Sequence, residues 1–423
     1  MVGYIAIFLA TSILIKILVD SSISSLLALI LLGIWGFLSA YSLYIFYRAE
    51  PVMGLFNMIR TVRFNNIIKD FIWLSEFITF LSRIAFHVMF GFLGIFLFPQ
   101  KYKHRILTYL TSIMLMFIIA IMYQIALSKF VITNSTSYSP PISLSSLILL
   151  LSGVIGWFVF SLLNGFLRLW REISLEGQVS STIVSPLIPG ITLPFLESIF
   201  ALGFVMIVHE LAHAVIAMRY NIPIRSTGLI TYGAIPVGAF VEPDDDQFKN
   251  LTESSKKTDI LLAGVGVNLF FSMIFFLVLW VFLILTEPLS IVGACISNDV
   301  IPDKYVIIKK IDGVPCTAAF LNNDSILETN YGNFQLNRYV KYSPLPSNSI
   351  FRIYDNPFLD FLYNLLFMLF SLNLIISITN MFPVYFIDGG QVLETILKDR
   401  GRILLKILSF SLIMLIFISI LFR

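Results

Sequence analysis

Charge is what this chain has least of. Only 13% of its 423 residues are Asp, Glu, Lys or Arg, where a soluble globular protein carries about 25%. With 58% hydrophobic residues and a mean hydropathy of +0.90, the chain reads as a polytopic membrane protein, and a water-soluble enzyme is excluded. The net charge of +3 and the lack of any basic-aromatic tract exclude nucleic acid as a partner. Cysteine is scarce too. Cys295 and Cys316 fall in one loop, which excludes a disulfide scaffold and leaves either a single bridge or two free thiols. The first apolar stretch, GYIAIFLATSILIKILV, lacks a basic leader and a small-residue cleavage site, so it reads as a retained helix.

Long hydrophobic runs are what the chain has instead. Stretches of spanning length cover Gly3–Val19, Ser24–Tyr47, Phe71–Phe98, Ile106–Ile132 and Leu144–Leu169, then Ile199–Arg219, Thr258–Thr286, Phe358–Phe382 and Ile403–Phe422. Phe71–Phe98 is interrupted by Glu76, Arg83 and His87, which suggests a shorter span preceded by an interfacial helix. Two polar stretches break the second half. Asn221–Lys257 has Gly/Pro spacing and alternating β-formers, which suggest short strands or a loop against the membrane. Residues 287–357, with KYVIIKKIDGVPC, suggest a small β-rich extramembrane insertion. If Asn221–Lys257 is cytosolic, Arg48–Asp70 and Lys398–Arg402 share that side, in keeping with their basic residues. Lys101–Arg105 then falls on the wrong side, leaving the orientation of the N-terminal helices open.

Only four histidines are present, and two of them form His209-Glu210-Leu211-Ala212-His213 inside LESIFALGFVMIVHELAHAVIAMRY. On a helix, residues four apart project from one face, so the two rings can grip one zinc ion. Glu210 then stands where a carboxylate can take a proton from water. Imidazoles and a carboxylate at membrane depth are expensive unless they act. Catalytic zinc takes three protein ligands and leaves a fourth position open, so a further ligand is required. His87 and His104 read as solvated surface. Asp388, a lone acid after a long apolar span in NMFPVYFIDGGQVLETIL, is the better candidate, with two glycines that let the backbone pass closely. A helix N-cap is the alternative role for Asp388, compatible with ligation. Asp244-Asp245-Asp246 reads as a solvated loop.

HELAH on a membrane helix followed by NMFPVYFIDGG resembles the site-2 protease family of intramembrane zinc metalloproteases. The likeness extends to Pro189–Pro194, Gly238–Pro243 and Gly264-x-x-x-Asn268, and covers roughly Pro189 to Arg402. The resemblance implies an all-α polytopic membrane protein with a three-helix catalytic core, additional transmembrane helices and the small β-rich insertion. Domains follow as residues 1–170 (N-terminal helices), 189–286 (first part of the core), 287–357 (a PDZ-like insertion, whose turn Ile311–Pro315 resembles) and 358–423 (second part). It implies one zinc ion per chain held by His209, His213 and Asp388, and cleavage by a zinc-activated water with Glu210 as general base. It also implies substrate-positioning roles for Asn268, Asn380 and Pro383, although Asn268 reads equally as a hydrogen-bonding residue between helices. Gly264 reads as a packing residue. The implied substrate is a single-span membrane protein in the same lipid bilayer, already trimmed by an upstream site-1-type protease. The FVEP and DGG stretches look like those of archaeal members, which places the chain in the cell membrane, with Golgi or endoplasmic reticulum as the alternative. Two competing functions are a membrane ion or metal transporter using the same polar residues, and an inactive protease-like scaffold. Glu210 argues against the second.

Overall fold

The computed structural model describes residues 2–20, 25–97, 193–286, 289–295, 306–315, 326–335 and 349–421, apart from residues 53, 63, 312, 330, 331, 355 and 386. Helical stretches between residues 106 and 115 and between 151 and 167 are described as well. His104, Cys316, the Pro189–Thr192 segment and most of Ile106–Ile132 lie outside the described residues.

Helix dominates, because in lipid a backbone must satisfy its own polar groups. The helices are α1 (Val2–Asp20), α2 (Ser25–Tyr47), α3 (Phe64–Lys69), α4 (Ser75–Phe90), α5 (Leu93–Leu97), α6 (Phe195–Arg219), α7 (Asp245–Lys249), α8 (Ser254–Leu285), α9 (Pro357–Asn380) and α10 (Asp388–Leu421). Among the described residues, five are long and apolar enough to cross a membrane. The chain is therefore a multi-pass membrane protein. The interrupted stretch Phe71–Phe98 resolves into α4 and α5, with the short α3 and a single 3₁₀ turn before them. Local chemistry sets the helix ends. Pro357 opens α9 while the Asn356 side chain accepts from the backbone N–H groups of Phe358 (2.9 Å) and Leu359 (3.4 Å).

Helix α8 is the centre of the bundle, touching α4, α6, α9 and α10. Its sequence explains how four neighbours fit. A methyl group at Gly264 would lie 2.5 Å from the His209 ring on α6, and one at Gly266 would lie 2.6 Å from the Ser82 nitrogen on α4. Small residues let helices approach where lipid supplies no hydrophobic drive. Polar pairs add to this contact. Arg83 on α4 donates through Nε (3.2 Å) and Nη2 (2.9 Å) to the Asp259 carboxylate on α8, and the Tyr220 hydroxyl donates to the same carboxylate at 2.8 Å. His87, expected at a solvated surface, is instead 1% exposed. Helix α4 is packed into the bundle, and Nδ1 of His87 lies 2.7 Å from the Arg83 carbonyl.

The stretch after α6 folds as a hairpin of two nine-residue strands, β3 (Ile224–Tyr232) and β4 (Ile235–Pro243). The strands are joined by Gly233 and Ala234, both at positive φ (49° and 69°), as a two-residue turn of the primed type requires. The first half of the chain completes the sheet. Strands β1 (Glu50–Val52) and β2 (Phe56–Thr61) pair antiparallel, and β2 pairs with β3, giving the order β1-β2-β3-β4. Helices α1 and α2 hold the hairpin tip. Thr11 Oγ1 donates to the Gly233 carbonyl (2.7 Å), Tyr4 to the Ala234 carbonyl (3.0 Å), and Tyr232 to the Leu32 carbonyl (2.6 Å). Turn carbonyls that an apolar setting would strand are thereby paired.

The insertion before α9 is a second, mostly antiparallel sheet: β5 (Ser290–Cys295), β6 (Val306–Ile311), β7 (Val314–Pro315), β8 (Ile326–Thr329), β9 (Gly332–Gln335) and β10 (Ser349–Tyr354). The strand order is β10-β5-β6-β8-β9, with β7 on β6.

Candidate metal centre and active site

Helix α6 presents His209 and His213 from adjacent turns of one face, their ring centroids 4.8 Å apart. Asp388 reaches them from the first residue of α10. Its Oδ2 lies 3.2 Å from His209 Nε2 and 3.4 Å from His213 Nε2. The loop from Met381 to Ile387 delivers it. A side chain at Gly389 would overlap the Met381 backbone, and one at Gly390 the Val384 carbonyl, so only glycine lets this loop close against the helix start. Asp388 is thus the first residue of a helix and faces both imidazoles.

The two rings are turned the same way. His213 Nδ1 lies 2.7 Å from the Ile260 carbonyl on α8. A carbonyl can only accept, so Nδ1 carries a proton, and in the neutral ring the Nε2 lone pair then points toward Asp388. His209 also directs Nε2 at Asp388, with Nδ1 facing α8. The donor set suits zinc, which takes His nitrogen and carboxylate oxygen at 2.0–2.2 Å. Ligands at such distances around a tetrahedral ion stand about 3.3 Å apart; Asp388 stands 3.2 and 3.4 Å from the two histidine nitrogens, and the three groups' ligand atoms lie within 4.8 Å of one another. Among the described residues no other group of three His, Cys, Asp or Glu side chains converges this way.

Glu210 occupies the neighbouring side of the same helix. Its Oε2 accepts from the Val241 N–H of β4 at 3.0 Å, so the sheet holds the carboxylate in place. A cavity of about 310 Å³ opens beside it, lined by Met206, His209, Glu210, Ile376, Thr379 and Asn380. The Asn380 amide nitrogen lies 3.1 Å from His209 Nε2. Asn268 stands elsewhere: fully buried, it sits behind His209, with Nδ2 2.9 Å from Nδ1, and is not part of the cavity wall. Pro383 lies in the loop, its carbonyl accepting from Ser409 Oγ at 3.1 Å. Asp244 belongs to neither metal nor cavity. It caps α7, accepting from the Gln247 N–H at 3.0 Å, and pairs with Arg225 at 3.0 Å. The roles of Val241 and Ile260 were invisible in the sequence, because a backbone group acts at each and any side chain would serve.

Two histidines and a carboxylate thus converge from α6 and α10, with a glutamate next to the first histidine. Residues 197–422 match Peptidase family M50, and the chain belongs to that family, the site-2 proteases. A stretch of 94 residues is 33% identical to an uncharacterized protein of Methanocaldococcus jannaschii; it covers 22% of this chain and 25% of that relative's length. No solved structure matches the chain.

Proposed function

We propose that the chain is a zinc endopeptidase that hydrolyses a peptide bond within the membrane-spanning segment of a single-span protein. The observation that carries this is the convergence of His209, His213 and Asp388 at ligand spacing beside Glu210, at the wall of a cavity between apolar helices. When bound, zinc supplies Lewis acidity, which polarises the scissile carbonyl and brings the pKa of water toward neutrality. Glu210 accepts the proton of the attacking water and returns it to the leaving amine. The Val241 N–H keeps the carboxylate oriented for both transfers. Met206 and Ile376 offer apolar wall to substrate side chains, and the Asn380 amide can donate to a substrate carbonyl. The archaeal relative supports a place in the cell membrane.

The test is quantitative proteomics of membranes from cells carrying the wild-type protein or Glu210→Gln. The reading expects at least one single-span protein to accumulate uncut in the variant. Identical membrane proteomes under conditions where the wild-type protein is abundant would count against it.

A further inference from the structure

Helix α8 supplies three contacts to the histidines from one line of residues. Ile260, Gly264 and Asn268 are spaced by four, so they stack on one helix face. The Ile260 carbonyl accepts from His213 Nδ1. Gly264 offers bare backbone to the flat of the His209 ring, where a methyl would lie 2.5 Å from Cε1 and Nε2. Asn268 meets His209 Nδ1 at 2.9 Å. The Asn268 side chain is fully buried, and its Oδ1 has no hydrogen-bond partner. A buried amide oxygen left unpaired costs about 1–3 kcal/mol.

The chemistry of the ring gives that oxygen a partner. With Nε2 aimed at Asp388 and its lone pair used for a metal, a neutral His209 carries its proton on Nδ1. That N–H needs an acceptor. The two ends of an amide have the same shape, so a half-turn of the Asn268 side chain puts Oδ1 at the position facing Nδ1. From this geometry we infer that Asn268 is a positioning residue: its amide oxygen accepts from His209 Nδ1–H and, with Gly264 against the ring face, fixes the tautomer and plane in which Nε2 can ligate zinc. This deepens the proposed function and rests on its metal site. It assigns Asn268 to the histidine behind the cavity and not to the substrate.

The inference separates acceptor chemistry from simple helix packing. Asn268→Leu keeps the volume and removes the acceptor; Asn268→Asp keeps an acceptor and removes the amide donor. Full-length protein in detergent would be stripped of metal and titrated with Co²⁺ alone, following the visible ligand-field bands, then with Zn²⁺ against a chelator. Outer-shell partners of this kind change metal affinity by about 10- to 100-fold. Asn268→Leu is expected to weaken Zn²⁺ binding by that factor and alter the Co²⁺ bands, while Asn268→Asp stays within about threefold of wild type or binds tighter. Should Asn268→Leu not fold, Asn268→Asp alone decides. Loss of affinity in Asn268→Asp equal to that of His209→Ala would overturn the acceptor role, as would wild-type affinity in a folded Asn268→Leu. Wild-type protein that binds neither ion would overturn the metal site itself, a failure distinguishable from that of Asn268.

Discussion

Asp388 answers two demands, opening a helix and facing two imidazole nitrogens, and one substitution separates them. Asp388→Asn keeps the size and the helix-start preference but gives the site a neutral, weaker donor. Removing an outer-shell partner alone costs about 10- to 100-fold, so losing a ligand should lower cleavage on the order of a hundredfold or more. The variant should still insert and fold, which protease resistance of the membrane-embedded core would report. Near-normal cleavage would leave the histidines with an unidentified third ligand. Gly264→Ala probes the opposite wall of the same ring. Alanine favours a helix interior by about 1 kcal/mol over glycine, yet the added methyl meets His209 at 2.5 Å. Overpacking costs about 1–3 kcal/mol, which outweighs that gain, so thermal stability and zinc affinity should both fall. At this scale much was legible. HExxH spacing placed two histidines on one helix face, and a lone acid in apolar surroundings pointed to the carboxylate that meets them. Asn268 was visible as a polar residue in a span. Its place behind His209 was not, since helix-face arithmetic does not say which neighbour the face meets.

Among the elements, α4 and the β1–β2 hairpin depart most from what the sequence suggests. The pairing of β2 with β3 joins Ile59 to Leu229, and no local pattern encodes a partner so distant. Phe71–Phe98 looked doubtful because it carries Glu76, Arg83 and His87. The structure shows why two of these are tolerated: Arg83 meets Asp259, and His87 meets a backbone carbonyl. Removing one partner of a buried ion pair is expected to destabilise by about 3 kcal/mol. Asp259→Ala should accordingly lower thermal stability in detergent far more than Asp245→Ala at the exposed start of α7. A milder effect belongs to Asp244. The Gln247 N–H, then the Arg225 guanidinium, hold its carboxyl below the usual aspartate range. A depressed folded pKa stabilises above the unfolded value of about 4 and stops doing so as pH falls through the folded value. The protection of α7 amides from exchange, relative to the intrinsic rate at each pH, should thus be higher at neutral pH and fall in acid. In Asp244→Asn the pH response should disappear.

The whole molecule is larger than the segment that matches the family. Residues 197–422 hold His209, His213, Asp388 and Glu210, yet Gly266 packs on α4, and β3 pairs with β2. The hairpin tip is bonded to α1 and α2. A chain beginning at residue 193 is therefore expected to bind zinc poorly and to be digested readily, and co-expression of residues 1–192 should restore it. Full activity of the fragment alone would show that the N-terminal helices are dispensable.

His209, His213 and Asp388 are proposed to hold a catalytic zinc that Glu210 serves without ligating. The zinc content of purified full-length protein decides this, comparing wild type, Glu210→Gln and the His209→Ala, His213→Ala double variant. One zinc per chain is expected in the first two and close to none in the third. Full zinc retention by the double variant would mean that these histidines do not hold the ion.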